Sequence, residues 1–236
     1  MSFLRLILVL FTSASITLAE DNPQLPLTLS TPGELLFADD FDSDEIRPEW
    51  IPLHGTQWSI ADNTLRGQPS TKEFQAKRIA AGNKSHSGGT PSSRLMIPVD
   101  DGIIQFRFKL ADTLKGAHFG FNDGSVKTGT GHVCRVTTST KDGITLQKDK
   151  NAKIEGDEDE TLVTDPFNLQ PDTWYYLVLE ILGDRMAVSL SDGGPTLQAQ
   201  HPRFDLPKDQ INLPTRSGGT IHYDTVRVWK ALPKED

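Results

Sequence analysis

Residues 103–110 read Ile103-Ile104-Gln105-Phe106-Arg107-Phe108-Lys109-Leu110. From Ile104 onward apolar and polar side chains alternate. Ile104, Phe106, Phe108 and Leu110 fall on one side, and Gln105, Arg107 and Lys109 on the other. A period of two marks a β-strand, because successive side chains of an extended chain point to opposite faces. Residues 117–121 repeat the pattern, with Ala117, Phe119 and Phe121 inward and His118 and Gly120 outward. Further on, Thr173–Leu182 is a long apolar run and Arg185–Leu190 alternates again. Gly183-Asp184 between them is a tight-turn signal for a hairpin.

Working outward, the same reading predicts strands over 34–41, 57–60, 64–67, 74–80, 94–98, 132–138, 143–148, 196–200 and 220–230. Ala61-Asp62-Asn63 and Lys141-Asp142 read as hairpin turns. The Gly/Ser-rich stretch 85–93 is expected to be a mobile loop. The acidic run 151–160 (Asn-Ala-Lys-Ile-Glu-Gly-Asp-Glu-Asp-Glu) is expected to be a solvated one. No stretch sustains a 3.6-residue apolar period. Many short strands separated by turns mean a sandwich or barrel of antiparallel sheets. The domain organisation expected is a leader over 1–19, a Pro-rich lead-in over 20–33, one β-sandwich over 34–231 and a tail over 232–236.

Composition excludes several classes. The chain has 236 residues, 24 Lys+Arg against 32 Asp+Glu, and a formal net charge of -8. With no basic block, nucleic acid is not an expected partner. One cysteine excludes a disulfide framework and any cluster of thiolate ligands. Cys134 lies among Val133 and Val136, as a buried small hydrophobe would. Residues 1–19 have the build of a cleaved export signal: Arg5, an apolar run from Leu6, and Thr17 and Ala19 before the cleavage point. No later stretch approaches the ~20 apolar residues of a spanning helix. The expected product is exported, periplasmic or extracellular, with no transmembrane segment in the mature chain.

Several motifs carry a resemblance. They begin with Leu36-Phe37-Ala38-Asp39-Asp40-Phe41, Glu49-Trp50 and the stretch from His54 to Gly67. Asp172-Thr173-Trp174-Tyr175, Leu179-Glu180, Gly183-Asp184 and Tyr223–Trp229 follow. Over residues 34–230 the chain resembles the 3-keto-disaccharide hydrolase domain family and its laminin-G-like relatives, which share the concanavalin A-like fold. The segments 121–124 and 131–136 look like a planctomycete-type subgroup. The resemblance implies an all-β jelly-roll sandwich of two antiparallel sheets, with carbohydrate on the concave face.

Candidate site residues come from three patterns. Glu155, Asp157 and Glu160 match the E-x-D-x-x-E spacing of family-16 glycoside hydrolases, where strand parity sets two carboxylates on one face. Here the intervening Gly156, Glu158 and Asp159 are not apolar, so the bland reading is a solvated loop. The second pattern is a polar sheet face. Gln105, Arg107, His118, Asn122 and Arg135 are expected to point the same way, joined by His132 at a strand start. Trp50, Trp58 and Tyr176 are available as stacking surfaces. The third pattern is metal: Asp39, Asp40 and Asp42 near the end of the first strand, and Asp224 in the last, would gather for Ca2+ if those strands are neighbours. No cofactor is otherwise expected. No Ser nucleophile elbow, P-loop or complete G-x-G-x-x-G is present.

The leading expectation is an exported carbohydrate-binding domain. The alternatives are a hydrolase of glycosidic bonds, of the 3-keto-disaccharide type, using Arg107, His118, Asn122 and His132, and a purely structural surface domain.

Overall fold

The computed structural model describes residues 23–111, 114–124 and 131–235. The leader expected over 1–19 lies outside the described residues. In chain order the elements are β1 (Ser30–Asp39), β2 (Trp50–Pro52), β3 (Gln57–Ala61), β4 (Thr64–Gln68), α1 (Lys72–Ala80), β5 (Ser93–Leu95), β6 (Gly102–Leu110) and β7 (Gly116–Asp123). There follow β8 (Gly131–Ser139), β9 (Ile144–Lys148), β10 (Glu160–Asp165), β11 (Trp174–Leu182), β12 (Arg185–Leu190), β13 (Thr196–Gln200), β14 (Gln210–Asn212) and β15 (Ile221–Pro233). They form two antiparallel sheets. One is eight-stranded, ordered β13-β12-β11-β6-β15-β4-β3, with β1 also paired to β15. The other is seven-stranded, ordered β10-β9-β8-β7-β14-β5-β2.

The alternation over 103–110 holds on its inward side. Ile104, Phe106, Phe108 and Leu110 are buried, as are Phe119 and Phe121 of the facing sheet. Phe119 meets Phe106 at 4.5 Å and Phe108 at 5.0 Å between ring centroids, and the contacts are tilted or edge-on. Such pairs add about 0.5–1.5 kcal/mol beyond the area they bury. Tyr223 from β15 completes the cluster, stacked against Trp50 and Trp58. Those two tryptophans therefore line the core and its rim, not a ligand face. Cys134 is buried among these residues, and burial pushes its thiol up to about 12.

Two expectations are corrected, the strand over 74–80 and the start of the sandwich. Residues 74–80 are helical, within α1, not a strand. Thr71 caps the helix by accepting from Phe74 N at 3.2 Å, with Glu73 in the first turn and Lys77 and Arg78 in the last. The helix buries none of its residues, which is why no apolar stripe marks it. The stretch 85–93 contains a 3-10 turn (Lys84–His86) and ends on buried Ser92 and Ser93. The domain is also wider than 34–231: β1 begins at Ser30, and Thr31 and Ser30 pair with Leu232 and Pro233.

The lead-in is thus part of the sandwich. Leu25 and Leu27 pack on Ile103, Val178, Trp229 and Ala231, which face outward from the eight-stranded sheet. Beneath this strap lies Glu180, 1% exposed. Its Oε1 accepts from Thr28 N at 2.6 Å, and its Oε2 from Leu29 N at 3.0 Å, Ser30 N at 3.0 Å and Ser30 Oγ at 2.8 Å. Gln24 N donates to Gln105 Oε1. A carboxylate is buried here because every donor it needs arrives with the strap. Truncating Glu180 to Ala strands three backbone N–H groups. The variant is expected to lose roughly 3 kcal/mol in urea unfolding and to be nicked between residues 23 and 30 by limited proteolysis. Wild-type protection of that segment in the variant would contradict this account.

Candidate functional site

The outer face of the seven-stranded sheet is organised in rows, because antiparallel partners in register share a face. One row crosses every strand. Ile51 pairs with Arg94, Arg94 with Asn212, Asn212 with Gly120, Gly120 with Arg135, Arg135 with Gln147, and Gln147 with Thr161. Their chain neighbours Leu95, Ile211, Phe119, Phe121, Cys134, Val136 and Leu146 point into the core.

Gly120 is buried at the middle of this row. A Cβ there would lie 2.3 Å from Cys134 O and 2.8 Å from Arg135 Cβ, so only glycine allows β8 to approach this closely. Its partners across the sheet are Asn212 and Arg135. Along β7 it is flanked by His118 and Asn122, two residues to either side.

These side chains hold one another in place. Arg94 Nε donates to Asn212 Oδ1 at 3.1 Å, which turns the Asn212 amide so that Nδ2 donates to His132 Nδ1 at 2.9 Å. With Nδ1 accepting, the neutral His132 ring carries its proton on Nε2. Burial and the charges of Arg135 and Arg94 lower the His132 pKa, which keeps it in this neutral form. His118 Nδ1 lies 2.9 Å from Thr137 Oγ1. Burial first, then Arg135, Arg216 and His132, depress His118 to about 4.

Across from Gly120, Arg135 Nη2 lies 2.7 Å from Asp159 Oδ2 and 3.0 Å from Asp149 Oδ1. The Asp159 contact is a hydrogen bond. The Asp149 contact is close but misaligned, and neither Asp149 oxygen has a hydrogen-bond partner. Asp149 is 1% exposed. Desolvation outweighs the nearby Arg135 and raises its pKa to about 6. Arg135 Nε, Asn122 Oδ1 and Gln210 Oε1 are likewise buried without partners. Each such atom costs about 1–3 kcal/mol. These atoms sit together on one outward face of the sheet and in the loop beside it.

Of the residues singled out in the sequence, His118, Asn122, His132 and Arg135 come together on this face. Arg107 does not. It lies on β6, on the opposite outer face, 3.3 Å from Asp224 Oδ2 and stacked 4.6 Å over Trp174. Tyr176 belongs to that same far face, and Gln105 is buried under the strap. The carboxylates expected to gather for Ca2+ are spent separately. Asp39 accepts from Trp50 Nε1 and Phe41 N, Asp40 pairs with Arg227, and Asp224 pairs with Arg107. Among the described residues no three such groups converge. The first and last strands are neighbours as expected, but their carboxylates point to different partners. Glu155 and Glu160 are exposed, and Asp157 is tied to Lys148 and to Asn151 N. The E-x-D-x-x-E spacing falls on the loop before β10 and its first residue, so strand parity never aligns it. Arg94, Asn212, Gly120 and Asp149 were not singled out. The outward parity of Arg94 beside Leu95 was readable. Asn212 lies on a three-residue strand too short to show a period.

No protein-family model matches the chain, and none of the curated proteins does. Solved structures match it well. The carbohydrate-binding module CBM66 from Bacillus subtilis superposes with a TM-score of 0.54 at 14% identity, covering 77% of this chain and 96% of that one. The Bacillus licheniformis beta-glucanase gives 0.55 at 12% identity, covering 84% and 99%. A LamA variant from Z. galactanivorans, in complex with laminaritriose and laminaritetraose, gives 0.57 at 15% identity, covering 85% and 100%. The chain has the concanavalin A-like jelly-roll fold.

The depressed His118 makes a pH prediction. Between pH 6.5 and about 4 the unfolded chain binds a proton at this ring that the folded chain does not. The stability this neutral ring contributes is complete above 6.5 and is lost as pH falls through that window, by about 3 kcal/mol at most. Asp149, raised from 3.8 to about 6, acts in the opposite sense and offsets part of the loss. In urea unfolding, the wild-type stability advantage over His118→Gln is expected to shrink from about pH 7 to about pH 4.5. A difference constant across that range would refute the assignment.

Proposed function

We propose that this chain is an exported glycan-recognition domain that binds carbohydrate on the outer face of the seven-stranded sheet. The observation that supports it is the set of polar side chains gathered on that face, His118, Asn122, His132, Asn212 and Arg135, among which the buried Asn122 Oδ1 and Arg135 Nε have no hydrogen-bond partner. Sugars present hydroxyls that both donate and accept, and such a mixed array suits them. Neighbours of the same fold include a carbohydrate-binding module and a glucanase, which is consistent with this reading.

Glycoside cleavage of the 3-keto-disaccharide hydrolase type is the second reading. It is favoured by one feature: His118 is neutral at pH 7 and sits among polar side chains on the outer face, and with Nδ1 donating to Thr137 Oγ1 its Nε2 would carry the free lone pair of a base.

A glycan array followed by calorimetry tests the first reading. Asn212→Ala and His118→Ala are each expected to weaken the bound glycan at least ~10-fold, or about 1.4 kcal/mol, while Arg107→Ala on the far face leaves it unchanged. No bound glycan, or sensitivity only to Arg107→Ala, would overturn it. Turnover of 3-keto-glycosides by wild type but not by His118→Ala would install the second reading instead.

A further inference from the structure

Beside Arg135 a pocket of about 180 Å3 is lined by Gly131, His132, Arg135, Asp149, Lys150, Ala152 and Asp159. It lies where β8 meets the chain leaving β9 and the residues entering β10. Its volume is below the ~300 Å3 at which pockets begin to enclose drug-sized ligands. One ring fits, not an oligosaccharide.

The walls present a set of complementary groups. His132 is exposed and offers Nε2–H, its tautomer set by the chain from Arg94 through Asn212. Arg135 is one-quarter exposed and offers its guanidinium. Asp159 is partly exposed; its Oδ1 accepts from Lys150 N at 2.9 Å and its Oδ2 from Arg135. The Asp149 carboxylate, 1% exposed, also lines the pocket: its Oδ1 lies 3.0 Å from Arg135 Nη2, and neither its oxygens nor the buried Arg135 Nε has a hydrogen-bond partner. A guanidinium beside two carboxylates is a receptor for a vicinal diol. One hydroxyl donates to a carboxylate while its oxygen, or its neighbour's, accepts from the guanidinium.

We infer that this pocket is the subsite for one neutral sugar ring, whose vicinal hydroxyls bridge Arg135 and His132 to the carboxylates of Asp159 and Asp149. The inference rests on the glycan-binding reading and specifies its ligand. The Asp149 carboxylate lies beside the guanidinium, so the ring reaches it as Arg135 turns toward Asp159, which it already holds. An acidic sugar is disfavoured. A uronate carboxylate brings acceptors where Asp149 needs donors, and it would lie beside the carboxylates of Asp149 and Asp159, with Arg135 already paired to both and Lys150 the one further cation in the lining.

The test uses the full exported chain and two methyl glycoside probes, methyl glucoside and methyl glucuronide, titrated while backbone amide NMR shifts are read. The neutral probe is expected to shift the amides of residues 131–135, 149–152 and 159 with a millimolar Kd, and the uronide to bind at least ten-fold more weakly. Asp149→Asn and the exposed Asp159→Asn are each expected to weaken the neutral probe ten-fold or more. Equal binding of the uronide, undiminished binding in both variants, or shifts confined to other residues would each overturn the subsite. If the wild type binds a polysaccharide with His118 dependence but these amides stay still, only the subsite falls. If no glycan binds, the reading beneath it falls as well.

Discussion

Phe106 of β6 and Phe119 of β7 meet in the middle of the sandwich, and the rest of the molecule follows from that contact. Each strand has one face committed to the shared apolar core, so its polar side chains have nowhere to go but outward. Two sheets packed about 10 Å apart then yield two outer faces that point away from each other. A polar group on β6 and a polar group on β7 are close in sequence and back to back in space.

The two outer faces are used differently. On the eight-stranded sheet, one patch of the face is itself apolar, formed by Ile103, Val178 and Trp229, and is covered by residues 25–30. Glu180 sits under that cover and takes its hydrogen bonds from it. The strap therefore shields the apolar patch and satisfies a buried charge at once. The face is closed where Glu180 and Trp229 lie. Around Arg107 and Trp174 it stays polar.

The seven-stranded sheet is treated in the opposite way. Among the described residues no strap crosses its face, which is filled with polar side chains that support one another in relay, from Arg94 to Asn212 to His132. Burial, reinforced by the positive charge of Arg135, keeps the histidines neutral, and the carboxylates of Asp149 and Asp159 keep Arg135 in place. The unpaired buried atoms concentrated here are a stability cost that a core of pure packing would not retain. Sites that bind or react commonly accept such a cost.

Much of the fold was legible in the chain. Alternation at 103–110 and 117–121, the hairpin at Gly183-Asp184 and the absence of a helical stripe are local properties, set by the two-residue repeat of an extended backbone. Alternation also assigned inside and outside correctly for Phe106, Phe119, Cys134 and Arg135. It did not reveal α1, whose capping residues were present but whose side chains bury nothing. Nor could it say which sheet a strand joins, and so Arg107 was grouped with His118 although a whole sandwich separates them. Asn212 and Asp149 entered the site through pairing with strands more than eighty and about fourteen residues away, a relation no local period encodes. Strand parity is a property of neighbours along the chain; the site is a property of register between strands, and register exists only once the sheets have closed.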